Sequence, residues 1–120
     1  MNILIVDDSK AMRMMVIRSL KQAGFDGHTF LEAVNGKEGL EKIKASPPDL
    51  VLSDWNMPEM LGIEMLEELK KINKVPKFGF VTSESTEEMS ARAKAAGALF
   101  LIVKPFSVEV FQKQLGGIIK

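Results

Sequence analysis

Short apolar runs recur along the chain as ILIV, LVLS, FGFV and LFLIV, and each gives way to a polar residue: Asp7 and Asp8, Asp54, Thr82 and Lys104. Runs of four or five residues rich in Ile, Val, Leu and Phe, without polar alternation, are the pattern of strands covered on both faces. Between them the spacing of apolar residues changes to three and four, the period of a one-sided helix. A chain that alternates in this way is bound to a parallel sheet with helices on both faces, because a right-handed crossover must join each strand to the next.

The pattern predicts strands over residues 2–6, 28–34, 50–53, 78–81 and 99–103. Met12, Met15, Val16 and Leu20 mark the first helix, which Gly24 can close with a positive φ. A second helix is expected over 37–45, with Leu40 and Ile43 inward and Pro47 and Pro48 ending it. Leu66, Leu69 and Ile72 mark a third from about Ile63. Ser85 with Glu88 fits a capping box for a fourth running to Gly97, and a fifth is expected over 108–119. The resulting fold class is α/β, a doubly wound five-stranded parallel sheet of (βα)5 type with the flavodoxin-like order 2-1-3-4-5. The second strand alternates weakly, as an edge strand would. The whole of residues 1–120 reads as one module, since this length suits a single core and is short for two.

In that order the first strand lies beside the third, at the switch point where open α/β sheets bind ligands. Asp7, Asp8 and Asp54 then become neighbours. Two carboxylates 4 Å apart repel by roughly 4 kcal/mol at an effective dielectric near 20, so three together call for a proton or a cation. Magnesium accepts a few carboxylates, several waters and a phosphate oxygen, which suits an open rim. Three carboxylates, a divalent ion and the Lys104 ammonium carry no net formal charge, so a phosphoryl group could enter without net repulsion. Asp54 stands alone at its strand end and is the better nucleophile, Asp7 and Asp8 the better metal pair. Thr82 and Lys104 would serve the phosphoryl oxygens.

Composition narrows the alternatives. Sixteen Lys and Arg balance sixteen Asp and Glu, without a basic cluster, which disfavours nucleic-acid binding. The chain has no cysteine, so disulfides, thiolate metal sites and thiol nucleophiles are excluded. No secretory signal or membrane span precedes the first carboxylates, and a cytoplasmic location is expected. The single histidine, His28, falls on the opposite rim from the acids.

The segments LIVDDS, LSDWNMPEMLG, FVTSES and LIVKPF, in this order and spacing, resemble the signature blocks of response-regulator receiver domains of the stand-alone chemotaxis type, and the likeness covers the whole chain. It implies a phosphorylation-dependent switch of a two-component system, with no effector domain and no enzymatic activity beyond its own phosphorylation and dephosphorylation. By the resemblance Asp54 is the phosphoacceptor, and Asp8, Asp54 and the backbone carbonyl of Asn56 are Mg2+ ligands. Asp7 acts through metal-bound water, Thr82 is the switch hydroxyl and Lys104 the phosphate-binding lysine. A cis peptide is implied between Lys104 and Pro105, and Asn56 with Glu84 would tune access of hydrolytic water. The implied partners are a histidine kinase as phosphodonor and a downstream protein bound through the face of the fourth helix, fifth strand and fifth helix. The implied state is a monomer or a weak dimer formed on activation.

Two positions depart from the family pattern. Leu101 stands where the family often has an aromatic residue, and Phe100, one residue earlier, would point to the other face of the sheet. Leu61 precedes Gly62 where the family usually carries a polar residue. Trp55, in a loop beside the acceptor, is expected to be half exposed. Taken singly these residues have plainer readings: Asp8 or Ser9 as a helix cap, Asp54 as a turn former, and Met12, Met14 and Met15 as packing. From another class, a magnesium-dependent phosphatase of the haloacid dehalogenase type would also place an Asp nucleophile after a buried strand. It requires a second acid two residues later, where this chain has Asn56.

Overall fold

The computed structural model describes residues 1–118. Strands and helices alternate as β1 (Asn2–Val6), α1 (Lys10–Gln22), β2 (Thr29–Ala33), α2 (Gly36–Ala45), β3 (Leu50–Ser53), α3 (Gly62–Lys71), β4 (Lys77–Thr82), α4 (Glu87–Ala96), β5 (Phe100–Val103) and α5 (Val108–Leu115). The strands are parallel throughout and lie in the order β2-β1-β3-β4-β5, so the expected fold class is observed.

Why the strand runs are apolar throughout is evident from the two cores they separate. Leu4 and Val6 of β1 join Val51, Phe78 and Phe80 in a layer closed by Ile43 of α2, Leu66 of α3 and Ala93 of α4. Ile3 and Ile5 point the other way, into a layer with Leu50, Leu52, Val16 and Leu20 of α1 and Phe111 of α5. Successive residues thus enter different cores, and neither face can be polar. At the edge β2 the rule relaxes: of its five residues only Ala33 is buried. Phe100 and Leu101 of β5 also separate by face, the first packing toward α5 and the second toward α4.

Several local expectations are corrected. The inward face of α1 is Arg13, Val16 and Leu20, while Met14 and Met15 are exposed and Met12 only half-buried. A helix advances about 100° per residue, so with Val16 facing the sheet Met15 must point away from it. The α4 cap is Thr86 rather than Ser85: its Oγ1 accepts from the Met89 amide at 3.1 Å, and Glu87 and Glu88 occupy the first turn, where the helix dipole favours them. Ile72 is not an inward residue of α3 but its C-cap, and is exposed. Gly24, at φ 102°, follows the end of α1 as expected, a backbone state that glycine adopts without strain. Helix α5 ends at Leu115, and Ile119, the end expected for it, lies outside the described residues.

Candidate functional site

The site is built by register. Val6 lies opposite Ser53, so the residues that leave β1 and β3 together are Asp7 and Asp54. The Asp54 amide donates to the Val6 carbonyl at 2.8 Å and the Asp7 amide to the Ala33 carbonyl at 3.1 Å, which ties three strand ends at one level. On the far side Thr82 ends β4 opposite Val103, and the Lys104 amide donates to the Thr82 carbonyl at 2.7 Å. The peptide between Lys104 and Pro105 is cis, as the resemblance implied.

Asp7, Asp8, Asp54, Thr82 and Lys104 therefore meet on one rim. Each of the three acids offers a carboxylate oxygen within 4.8 Å of the others. The Lys104 ammonium reaches Oδ2 of Asp7 at 3.2 Å and Oδ2 of Asp54 at 3.4 Å. These side chains are 6 %, 12 % and 15 % exposed for Asp7, Asp54 and Lys104, so the pairings are poorly screened. Burial raises the Asp7 carboxyl above its ordinary value, and repulsion from Asp54 adds to this; the Ser9 amide and Lys104 oppose it. One ammonium thus pairs with two largely buried carboxylates, while the third acid of the cluster, Asp8, is exposed.

The backbone fixes Asp54 closely. Its Oδ1 accepts from the Trp55 amide at 2.7 Å, while its own carbonyl accepts from the Ser53 hydroxyl at 2.8 Å. The β3–α3 loop folds back so that the Gly62 amide donates to the Trp55 carbonyl at 2.8 Å. Gly62 must approach closely for this: a Cβ there would stand 2.0 Å from the Asp54 carbonyl oxygen. Asn56 and Glu84 are exposed.

Among the described residues, Thr82 carries the one buried side-chain polar atom left without a partner. It is fully buried, and among the described residues nothing hydrogen-bonds to its Oγ1. An unpaired buried hydroxyl costs about 1–3 kcal/mol, a penalty that a bound oxyanion would relieve. Hard carboxylate oxygens without nitrogen or sulfur donors fit a magnesium-like cation, and the orphaned hydroxyl with the Lys104 ammonium fits a phosphoryl group beside it.

One expectation fails here. Trp55 is not half exposed but 7 % exposed, packed in the core layer beneath α3 with its ring 5.0 Å from that of Phe80. Loop position misled because the Gly62 contact draws the loop down onto the sheet. Ser9, not Asp8, caps α1, accepting from the Met12 amide at 3.2 Å, so Asp8 keeps its carboxylate for the rim. Sequence reasoning missed Ser53, Gly62 and Arg13, whose guanidinium bonds to the Asp7 carbonyl at 2.6 Å. A charged residue within an otherwise apolar helix stripe was the available signal for Arg13.

Comparison with known proteins agrees with this geometry. Residues 3–115 match the family model of the response regulator receiver domain. The chain is 42 % identical over 107 residues to the chemotaxis protein CheY of Bacillus subtilis, covering 89 % of this chain and 88 % of that protein. It is 41 % identical over 104 residues to CheY of Thermotoga maritima, covering 87 % and 85 %. The solved structure of chemotaxis protein CheY4 of Vibrio cholerae superposes with a TM-score of 0.84 at 33 % identity, over 98 % of this chain and 97 % of that one. Four strand ends that carry the acids, the hydroxyl and the lysine, within a fold and sequence shared with these regulators, place the chain in the response regulator receiver domain family, as a signalling switch of a two-component system.

Proposed function

We propose that the switch is thrown by transfer of a phosphoryl group from a histidine kinase to Asp54, with Mg2+ held by Asp7, Asp8, Asp54 and the backbone carbonyl of Asn56. The observation that carries this reading is the convergence of Lys104 on Asp7 and Asp54, on the rim that also bears the unpartnered Thr82 hydroxyl. An Asp54 carboxylate oxygen attacks phosphorus as the bond to the donor's histidine nitrogen breaks, leaving an acyl phosphate on the chain and a neutral imidazole on the donor after protonation. Mg2+, when bound, supplies the positive charge that lets phosphoryl oxygens enter among the carboxylates. Lys104 then exchanges its Asp54 contact for a phosphoryl oxygen, and Thr82 donates its hydroxyl to another. Asn56 and Glu84 govern how readily water reaches the phosphorus for hydrolysis.

Driving a two-state protein from 1:99 to 99:1 takes about 5.5 kcal/mol of differential interaction, which new charged bonds to Lys104 and Thr82 can supply. Output is binding to a protein target through α4, β5 and α5, where Leu99 and Val103 are exposed. Leu101 packs partly buried toward α4 on this face, in the position where the family often has an aromatic residue, so the surface it forms is this chain's own. We place the protein in the cytoplasm, in chemotaxis signalling, as a monomer or a dimer formed weakly on activation. In support, no described helix is long and apolar enough to cross a membrane, and the relatives named above are chemotaxis proteins.

Trp55 gives the test, because its amide holds Asp54 and its ring lies on Phe80 two residues before Thr82. Its fluorescence should change on Mg2+ addition and again with acetyl phosphate or fluoroberyllate. No saturable response to either, with calorimetry also silent, would refute the proposal. Gel filtration before and after activation distinguishes self-association from binding of another protein, and steady turnover of phosphomonoesters would favour a phosphatase instead.

A further inference from the structure

Arg13 is the one charged residue on the buried face of α1, 8 % exposed. Its guanidinium is committed at both sides: Nη1 donates to the Asp7 backbone carbonyl at 2.6 Å, and Nε to Glu32 Oε1 on β2 at 2.9 Å. The same short turn is held by three further bonds. The Asp7 amide donates to Ala33 at 3.1 Å, the Ser9 amide to Asp7 Oδ1 at 2.9 Å, and the Arg13 amide to the Ser9 carbonyl at 3.0 Å. Asp8 is exposed and lies between the two residues these bonds immobilise, so its carboxylate takes its direction from their backbone.

Charge alone cannot explain this placement. A guanidinium bound to the residue that carries one acid of the rim repels any cation the rim would hold. We infer that Arg13 is a positioning residue of the divalent-cation site: by fixing the Asp7 carbonyl against β2 it aims the Asp7 and Asp8 carboxylates, and Glu32 in turn holds the guanidinium in place. This rests on the Mg2+ reading above. Groups that orient metal ligands in this way are commonly worth ten- to a hundredfold in affinity (~10–100). Lysine would not substitute, since it keeps the charge and loses the planar fork that spans two acceptors.

The two explanations differ in sign. In Mg2+ titrations of the full chain followed by calorimetry, Arg13→Met and Arg13→Lys should each bind about tenfold more weakly and Glu32→Ala about threefold more weakly. Unfolding measured without divalent ions shows separately that each variant is folded at the titration temperature. Should Arg13→Met not fold, Arg13→Lys and the exposed Glu32→Ala decide the question. Unchanged affinity in the folded variants overturns the inference, and tighter binding would make Arg13 a source of repulsion only. If the wild-type chain itself binds no Mg2+, the cation reading fails and this inference with it. If wild type and variants bind alike, only the inference falls.

Discussion

The two rims of the sheet both gather polar groups, yet they are built on opposite principles. At the N-terminal rim the Met1 amine meets His28 Nδ1 at 3.0 Å and the Asn2 amide meets Asp49 Oδ2 at 2.7 Å; Met1, Asn2 and Asp49 are exposed and His28 half-buried, and each group has a partner. At the C-terminal rim Asp7, Asp54 and Lys104 are largely buried, the acids outnumber the cation, and the Thr82 hydroxyl has no partner among the described residues. Polar residues at strand ends are therefore not by themselves the sign of a site. What distinguishes the C-terminal rim is burial of groups whose mutual interactions are left incomplete, a condition that costs stability and is relieved by ligands.

The contrast can be broken at several points. The largest effect is expected from Asp54→Asn, which should abolish covalent phosphorylation while leaving metal-free stability equal or about 1–2 kcal/mol higher, because a like charge is removed from the cluster. Urea unfolding reports the stability, and a variant that no longer folds would show that the acids there are not strained. Next is Gly62→Ala. Its Cβ would fall 2.0 Å from the Asp54 carbonyl oxygen, a backbone atom that cannot move without shifting the acceptor, so a loss of about 3 kcal/mol is expected in the same assay.

A smaller effect distinguishes Asp7 by pH. Burial raises its folded-state value, so the protonated form is the one that folding favours. Its contribution to stability is present below the ordinary value of 3.8 and is lost as pH rises through the raised one. In metal-free buffer Asp7→Asn should therefore gain on wild type between that pH and neutrality, and Mg2+ should reverse the order by stabilising the ionised wild type. A gap independent of pH would contradict the assigned burial cost. Smallest of all, His28→Gln and Asp49→Asn on the other rim should each change unfolding free energy by less than about 1 kcal/mol and leave Mg2+ affinity unaltered. An effect on Mg2+ there would erase the difference between the rims.

How much of this was legible beforehand follows from what each residue depends on. The apolar runs fixed strand identity because both faces of a parallel sheet are covered, and strand ends carried Asp7, Asp54, Thr82 and Lys104 to one rim whatever the details of the helices. Trp55 was misjudged because its burial depends on a loop drawn in by Gly62, a contact between residues that no periodicity links. Arg13 escaped notice because its partners are a backbone carbonyl and a residue on β2, visible only once α1 is docked. Thr86 and Ser85 are both competent caps, and only the direction of the chain leaving β4 selects between them. Topology was thus readable where many residues agree, and local geometry was not where a single long-range contact decides.

The central claim is that Asp54, crowded by acids and held by Lys104, accepts a phosphoryl group when a divalent cation relieves the crowding. Intact-mass and peptide mass spectrometry after acetyl phosphate treatment, with Mg2+ and with chelator, tests it most directly. The account predicts one phosphoryl adduct, located on Asp54 and dependent on Mg2+. An adduct on another residue, or none under conditions where the protein is folded and Mg2+ is bound, would contradict it.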